Sequence, residues 1–539
     1  MTHFWAKTTS EEKPGISVLD HLLNVGHVAR GIAETVPGLL ERFQLRSDDV
    51  AALAALHDLG KISPGFQRKC SAWLADNNLS EIDTRWRWNV MEKDHGKISQ
   101  ATIQDFLLTI GISRDPAQYL ATVLGAHHGK IKYPPNPRGY RSNPISENES
   151  GIDWHKERQT CAEQIWKIFK GENTVFLTDE SPAMWWLAGL TSVADWIGSD
   201  ERFFSPELQT NIADSFTAAR NAFDFIGFKK PPIIPNLSFH DLFHDREKAE
   251  DMWSPNEMQE KTFAMIGGPG VYVVEAPMGM GKTEAALWAA YRLLSAGKAT
   301  GIYFALPTQA TSNRMHLRMK EFVARISPEA HQSRLIHGSS WLMDKLPVLN
   351  PSASIYDKDE GDSSTGRDWF SSAKRALIAH FGVGTVDQAL LGVVAAKHFF
   401  VRHFALAGKV VILDEVHSYD LYTGTLIDTL IKTLEALGCT VIVLSATLTG
   451  KRLGEIVSLP VTASDDECLP YPLITGRNEG MELEPATAES PAPRTVKVEF
   501  ISKIKAAEEA ISLAQKGGEL FGYATLSMRR RNNTGSSKV

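Results

Sequence analysis

The strongest constraint on the fold is a glycine-rich turn between an apolar strand and a helix, V-V-E-A-P-M-G-M-G-K-T-E-A-A-L, at residues 273–287. Backbone N–H groups around Gly279 and Gly281, at the start of a helix, form a favourable site for phosphate groups. Lys282 can reach the β and γ phosphates of a nucleotide, and the Thr283 hydroxyl can bind Mg²⁺. The turn therefore predicts an ATP–Mg²⁺ site in an α/β domain.

Further short β-rich runs alternate with helical stretches, among them T-G-I-Y-F-A-L, K-V-V-I-L-D-E and T-V-I-V-L-S-A. This alternation predicts a parallel sheet covered by helices. In V-V-I-L-D-E-V-H, Asp414 closes a strand where it can hold Mg²⁺, and Glu415 can polarise the attacking water. His417 completes the run D-E-V-H, which resembles the superfamily 2 helicases. This resemblance implies that His417, with Ser445 and Thr447 of L-S-A-T-L, couples the nucleotide state to the grip on DNA.

The chain before this region has a different pattern, with apolar residues at helical spacing in V-A-A-L-A-A-L-H-D-L-G and M-W-W-L-A-G-L-T-S-V-A-D-W-I. The proline-rich run K-K-P-P-I-I-P-N at residues 229–236 resists both helix and central strand, and it predicts a linker. We therefore expect an all-α domain at residues 1–229 and an α/β domain at 230–475. Residues 476–539 are expected to form the remnant of a further α/β domain or an irregular tail.

The helical region contains seven potential metal ligands: His21 in L-D-H-L-L, His57 and Asp58 in H-D-L-G-K, His95 in D-H-G-K, His127 and His128 in H-H-G-K, and Asp195 in A-D-W-I. Imidazole and carboxylate suit Fe, Mn, Co, Ni or Zn. Two such ions can share a carboxylate, with Asp58 as the natural bridge, and a two-metal centre supplies the activated water that phosphodiester hydrolysis needs. Lys61, one helical turn beyond Asp58, is a candidate catalytic cation facing the scissile phosphate.

The order His, His-Asp, His, His-His, Asp resembles the HD superfamily and, within it, the CRISPR-associated nuclease branch, over about the first 200 residues. The resemblance implies two divalent transition metals, of the group Fe, Mn, Co or Ni, with a shared ligand. It assigns one metal to His21, His57, Asp58 and Asp195, and the other to Asp58, His95, His127 and His128.

The second region resembles the superfamily 2 helicases, in which Ala276 often replaces the first glycine of the phosphate-binding turn. The runs A-L-P-T-Q-A-T-S-N-R-M, with Gln309 and Asn313, and V-G-T-V-D-Q-A-L-L, with Gln388, look like the strand-contacting motifs of that superfamily. Gln259 in P-N-E-M-Q stands where a glutamine of that superfamily reads adenine. The resemblance implies a RecA-like domain that contacts DNA.

Together the two regions resemble the CRISPR-associated helicase-nucleases of type I systems, with a layout most similar to subtype I-E. This resemblance implies recruitment by a guide-RNA surveillance (Cascade) complex to R-loop DNA, followed by nicking and ATP-driven 3′-to-5′ degradation of single-stranded DNA. The family has a second RecA-like domain whose arginines complete the ATP site. Only about 60 residues follow the last motor segment, so we expect that domain to be largely absent and the motor to be impaired.

Two alternative functions stay open, and the net charge of −7 neither indicates nor excludes DNA binding. One alternative is an HD phosphohydrolase acting on nucleotides, with a regulatory P-loop domain, although the motifs around Asn313 and Gln388 count against it. A non-catalytic docking protein is the other.

The four cysteines form no C-x-x-C pair, which favours a reducing cytoplasm, and no apolar run reaches 18 residues, which predicts no membrane partner. We expect a monomer.

Overall fold

The computed structural model describes residues 3–80, 94–129, 148, 150–171, 181–207, 212–226, 228, 230–244, 254–328, 335–337, 376–394, 396–416, 421–458, 470–478, 481–490 and 512. Contacts divide the chain into two compact units, Met1–Ser490 and Pro491–Val539. Of the predicted functional residues, His417 and the side chains of Gln309 and Asn313 lie outside the described part.

The first part of the chain is helical, as predicted, and side chains start several of its helices. The Ser17, Asp94 and Asp153 side chains each accept a hydrogen bond from a backbone N–H of the first turn. A short 3-10 turn, Leu59–Lys61, follows the third helix. The helices are α1 (Val18–Glu34), α2 (Pro37–Phe43), α3 (Ser47–Ala54), α4 (Pro64–Gln67), α5 (Ser71–Asp76), α6 (His95–Thr109), α7 (Arg114–Leu124), α8 (Trp154–Phe169), α9 (Pro182–Gly198) and α10 (Ile212–Ile226).

The second part alternates strands and helices, as the sequence predicts. Its strands are β1 (Gly270–Glu275), β2 (Ile302–Leu306), β3 (Leu335–His337), β4 (Phe381–Thr385), β5 (Val410–Leu413), β6 (Thr440–Ser445), β7 (Leu473–Asn478), β8 (Met481–Glu482) and β9 (Ala486–Thr487). Its helices are α11 (Phe239–Phe243), α12 (Glu257–Met265), α13 (Lys282–Ser295), α14 (Gln309–Ile326), α15 (Val386–Leu390), α16 (Phe399–Leu406), α17 (Leu421–Ala436) and α18 (Gly450–Val457).

The strands form one mixed sheet in the order β3-β4-β2-β5-β6-β1-β7-β8, with β9 also paired to β7. The six strands from β3 to β1 are parallel, whereas β7 runs antiparallel to β1. The predicted domain boundary at residue 475 therefore falls inside a strand of this sheet. Because the parallel strands share one orientation, the turns after β1, β2, β4, β5 and β6 all lie at the same carboxyl edge.

The two faces of the sheet bury different sets of side chains. Tyr272 and Val274 of β1 point to the face covered by α12, α13 and α14. Val271 and Val273, which alternate with them, belong to a hydrophobic core that continues through α16 into the helices of the first part. The helical and α/β parts therefore share a core within residues 1–490.

The two parts approach each other closely where α9 crosses α16. Gly189 of α9 lies against the backbone of α16: a Cβ atom added there would be 2.4 Å from the Phe400 carbonyl oxygen and 2.6 Å from Phe404 Cβ. Arg42 adds a polar contact by donating to the Glu435 carbonyl at 3.3 Å. Among the described helices, none is both long and apolar enough to cross a membrane.

We expect Gly189→Ala to lower the free energy of unfolding by about 1–3 kcal/mol, because the added methyl group forces the two helix backbones apart. Gly38→Ala in α2 is the matched control, since a Cβ there meets no atom within 4 Å. That substitution should be neutral or stabilise by up to about 1 kcal/mol. Urea unfolding followed by circular dichroism measures both, and equal midpoints for the two variants would contradict the close crossing.

Candidate two-metal centre and nucleotide-binding loop

Five separate segments of the helical part bring the seven predicted ligands together. Two ligands lie within helices, one begins a helix, and four lie in turns that follow helices. They are His21 on α1, His57 and Asp58 after α3, His95 at the start of α6, His127 and His128 after α7, and Asp195 on α9. These side chains form two clusters, and within each cluster the potential ligand atoms lie within 4.8 Å of one another.

The first cluster contains His21, His57 and Asp195. Asp195 Oδ1 lies 3.6 Å from His21 Nε2 and 3.5 Å from His57 Nε2. One oxygen of Asp58, Oδ2, faces the same two histidines at 3.6 Å from each Nε2 atom. The four groups predicted to share one metal therefore surround a common point.

The second cluster contains Asp58, His95, His127 and His128. The other oxygen of Asp58, Oδ1, lies 3.3 Å from His127 Nε2 and 3.7 Å from His95 Nε2. His95 Nε2 and His128 Nε2 are 2.8 Å apart. The Asp58 carboxylate therefore presents one oxygen to each cluster, as a bridging ligand would.

The histidine tautomers fit metal binding. His57 Nδ1 donates to the Ala54 carbonyl and His127 Nδ1 donates to the Leu124 carbonyl, each at 3.0 Å. In a neutral ring, such a bond keeps the proton on Nδ1 and leaves the Nε2 lone pair facing the cluster. Metal-binding histidines are oriented by backbone carbonyls in the same way. Within the described part of the chain, the Nε2 atoms of His21, His57 and His127 and Oδ1 of Asp58 have no hydrogen-bond partner. Divalent cations would satisfy these buried atoms.

The charges of the site also favour cations. Burial lowers the pKa of His21 and His95 to about 4, so both rings are neutral at pH 7. Burial favours the neutral form of Asp58, but the Lys61 ammonium, 2.8 Å from Oδ2, holds its pKa well below the usual range. Burial opposes a charged His127, yet the Asp58 carboxylate raises the His127 pKa. The space between these two side chains thus attracts a proton or a metal cation.

Gly60 allows the second cluster to assemble. A Cβ at Gly60 would lie 1.9 Å from the His95 carbonyl oxygen, and the Gly60 N–H donates to Ser99 Oγ at 2.8 Å. The turn holding Asp58 can therefore approach the first turn of α6. Sequence analysis did not assign a role to Gly60, although its position in H-D-L-G-K was a visible signal. The contribution of Ser99, 39 residues away, left no signal in the sequence.

Gln67 is a second supporting residue that the sequence analysis did not identify. It is fully buried, and its amide donates to the carbonyls of Lys61 and Trp5 at 2.9 Å each. Its Oε1 accepts from the Trp5 N–H at 3.1 Å. The start of the chain is thereby joined to the turn that ends in Lys61, whose ammonium contacts Asp58.

The glycine-rich turn follows β1 as predicted. Gly279 and Gly281 have φ values of +82° and +79°, which disfavour side chains. Lys282 begins α13, and its ammonium donates to the Ala276 carbonyl at 2.6 Å. Burial lowers the pKa of Lys282. Thr283 is the next residue of the helix, so the structure places all four predicted phosphate and Mg²⁺ contacts at one helix N-terminus.

Asp414 and Glu415 lie directly after β5, at the same edge of the sheet. Burial and the neighbouring Glu415 raise the pKa of Asp414 to about 6. Glu415 adopts a left-handed backbone conformation with φ of +57°, and its N–H donates to Asp414 Oδ1 at 3.1 Å. This concentration of negative charge near Lys282 suits a Mg²⁺ ion bound to phosphates.

Gln259 contacts the phosphate-binding turn. Its Nε2 donates to the Gly281 carbonyl at 3.2 Å, and its Oε1 accepts from the Asn256 N–H at 2.9 Å. Asn256 also donates from Nδ2 to the Met280 carbonyl at 3.0 Å. Gln259 therefore positions the turn and helps to cap α12. Adenine recognition by Gln259 stays a prediction, and Asn256 is a further residue of the site that the sequence analysis did not identify.

The S-A-T-L turn follows β6 and lies at the same edge. Ser445 Oγ donates to the Thr447 carbonyl at 3.2 Å, and the Leu448 N–H that follows donates to Glu275 Oε1 at 2.8 Å. These bonds connect the S-A-T-L turn to the end of β1, which leads into the phosphate-binding turn. The S-A-T-L turn is therefore bonded to the strand that leads into the phosphate-binding turn, and coupling between the two stays a prediction.

Both halves match known families. Residues 5–204 match the family described as Cas3, HD domain, and residues 256–456 match the DEAD/DEAH box helicase family. The chain therefore combines an N-terminal HD domain with a helicase domain of the RecA-like fold. This domain pair makes the chain similar to the CRISPR-associated Cas3 proteins described next.

The CRISPR-associated endonuclease/helicase Cas3 of Thermus thermophilus is 33% identical over 514 residues, which cover 89% of this chain and 53% of that relative. A crystal structure of a CRISPR-associated protein superposes with a TM-score of 0.75 at 29% identity, covering 95% of this chain and 60% of that one. The T. fusca Cas3-ADP structure gives 0.69 at 26% identity, with coverages of 89% and 55%. The chain spans about half the length of the curated relatives it matches.

We expect Asp58→Asn to reduce Mn²⁺ binding from two ions to at most one, because an amide cannot bridge two cations as a carboxylate does. The affinity of any remaining site should fall by at least about tenfold. Isothermal titration calorimetry measures both quantities. Asp153→Asn, which changes a carboxylate at a helix N-cap where asparagine is equally favourable, is the control. Two unchanged sites in Asp58→Asn would show that the carboxylate is not a bridge.

We expect Lys282→Ala to weaken binding of a fluorescent ATP analogue with Mg²⁺ by about 10- to 100-fold, since a charged hydrogen bond contributes about 1.5–3 kcal/mol. Lys298→Ala is the matched control, because Lys298 lies beyond the other end of α13 and donates to the Gly267 carbonyl at 2.9 Å. Fluorescence anisotropy gives both affinities. Equal affinities for the two variants would exclude Lys282 as a phosphate ligand.

Proposed function

We propose that this chain is a metal-dependent DNA nuclease with an ATP-binding helicase domain, and that it degrades single-stranded DNA in CRISPR interference. The observation that carries the proposal is the pair of His/Asp clusters that share the Asp58 carboxylate. Bound divalent cations of the Fe, Mn, Co or Ni group would supply an activated water and neutralise charge on the phosphate. His21, His57, Asp58 and Asp195 would hold one ion, and Asp58, His95, His127 and His128 the other.

The clusters differ in access, which suggests the direction from which DNA approaches. His21 and His57 are almost completely buried, whereas His128 is exposed and the His95 side chain is 21% exposed. A phosphodiester group would therefore reach the second cluster first. Unpaired DNA fits such a site because its backbone is free to bend toward buried ligands. Lys61 is buried beside Asp58, so its main role would be to keep that carboxylate ionised.

The helicase domain is proposed to bind ATP–Mg²⁺ through Gly279, Gly281, Lys282 and Thr283 on one side and Asp414 on the other, with Glu415 polarising water. The ADP in the name of the T. fusca Cas3 structure supports the proposal that the chain binds a nucleotide. Because the chain resembles type I helicase-nucleases, we propose that the activity of the full motor is 3′-to-5′ translocation on DNA. Recruitment to R-loop DNA by a guide-RNA surveillance complex is part of the same proposal.

The decisive experiment is cleavage of circular single-stranded DNA by the full chain with Mn²⁺. A circle has no ends, so linear products require an internal cut. We expect cleavage by the wild type, and a rate at least about 100-fold lower in Asp58→Asn because both clusters lose their shared ligand. Cleavage of this bare circle should not depend on ATP, because the clusters hydrolyse the phosphodiester without a nucleotide.

Asp153→Asn and a reaction with EDTA in place of Mn²⁺ are the controls. The Asp153→Asn variant should cleave as the wild type does, and EDTA should stop the reaction. An intact circle after incubation with wild-type protein and Mn²⁺ would refute the nuclease assignment. Equal rates for wild type and Asp58→Asn would place the activity elsewhere.

A further inference from the structure

The turn that holds His127 and His128 is tied to the helicase part of the chain at His398. The His398 N–H donates to the Gly129 carbonyl at 2.9 Å, directly after the second ligand of the turn. His398 is completely buried and adopts a left-handed conformation, φ 59° and ψ 31°, just before α16. We propose that His398 is a positioning residue for the second metal cluster, an inference that rests on the proposed two-metal function.

The His398 ring fills the space that a side chain at residue 129 would occupy. A Cβ at Gly129 would lie 2.4 Å from His398 Nε2 and 2.5 Å from Cδ2. Gly129 also has a φ of +92°, a conformation that side chains disfavour. The backbone that follows His128 is therefore fixed by its own glycine and by an imidazole ring from the other part of the chain.

The same ring contacts the segment that carries another ligand. It packs edge-on against Trp196, at 5.6 Å between centroids, and Trp196 directly follows Asp195 on α9. Ser192, one turn earlier on α9, donates from Oγ to the His127 carbonyl at 3.0 Å. The ligand turn is thus held between α9 on one side and His398 on the other.

The helix that follows His398 is bound to a segment predicted to contact DNA. On α16, Arg402 Nε donates to the Gln388 carbonyl at 3.1 Å, and His403 Nε2 donates to the Gly392 carbonyl at 2.8 Å. Gln388 lies in V-G-T-V-D-Q-A-L-L, which spans the end of β4 and all of α15. A continuous set of contacts therefore runs from Gln388 through Arg402 and the start of α16 to His398, and from there to the second cluster, whereas the His403 bond lies outside it.

His398→Asn tests the role of the ring while keeping a residue that tolerates the left-handed conformation. In the full chain, we expect the affinity of the second Mn²⁺ site to fall about tenfold, the size of effect seen when outer-shell partners of metal ligands are removed. The affinity of the first site should stay within about threefold. Calorimetry gives the two affinities, and the spin-coupled electron paramagnetic resonance signal of paired Mn²⁺ ions reports whether both sites are filled.

Reference variants identify the affected site. His128→Ala removes a ligand of the second cluster, and His21→Ala one of the first, so the His398→Asn titration should resemble that of His128→Ala. His403→Asn is the matched control, because it replaces another buried histidine by asparagine. The hydrogen bond of His403 goes to Gly392, in the helicase part of the chain. It should lower the unfolding midpoint at most and leave both Mn²⁺ affinities unchanged.

Four results would separate the possibilities. Unchanged Mn²⁺ affinities in a folded His398→Asn protein would overturn the positioning role, and so would an equal loss in His403→Asn. Absence of Mn²⁺ binding by the wild type would instead refute the proposed function. If His398→Asn does not fold, Gly129→Ala disturbs the same contact from the other side, and retention of two wild-type sites in that variant would overturn the inference.

Discussion

The helical half depends on how the charge of the buried Asp58 carboxylate is compensated. Removing a carboxylate from water costs several kcal/mol unless opposite charge compensates it. Here Lys61 contacts one oxygen, and histidine nitrogens from α1, α6 and two turns face both. Burial lowers the pKa of His21 and His95, so these two rings contribute lone pairs rather than charge, and divalent cations would complete the charge balance. The five segments converge because each supplies part of that cation environment.

The helicase half depends on a different constraint, the common direction of its parallel strands. The turns after β1, β5 and β6 meet at one edge because these strands are neighbours in the same orientation. Lys282, Asp414 and Ser445 thus come together although they are far apart in sequence. The antiparallel strand β7 extends the sheet beyond β1 and begins at this edge, where Leu473 pairs with Glu275.

The sequence was a good guide where chemistry and local pattern coincide. The histidine and aspartate set, the phosphate-binding turn and the Asp414–Glu415 pair needed only residue types at recognisable positions, and the helical and α/β regions followed from hydrophobic periodicity. The expectation of a parallel sheet was correct for six strands but not for β7, whose residues 473–478 straddle a predicted boundary. Pairing direction depends on the path of the chain between strands, which periodicity does not encode.

The sequence by itself thus determined which groups are available for chemistry and which segments form helices or strands, because both follow from side-chain type and short-range spacing. Only the tertiary structure decided that Asp58 presents one oxygen to each cluster and that His398 occupies the space beside Gly129. It also decided that the first turn of α6 lies directly against Gly60. The contact between His398 and Gly129 joins residues 269 positions apart in the chain. The packing of a shared core sets such contacts, because excluded volume determines which side chains fit together. No local sequence pattern predicts them.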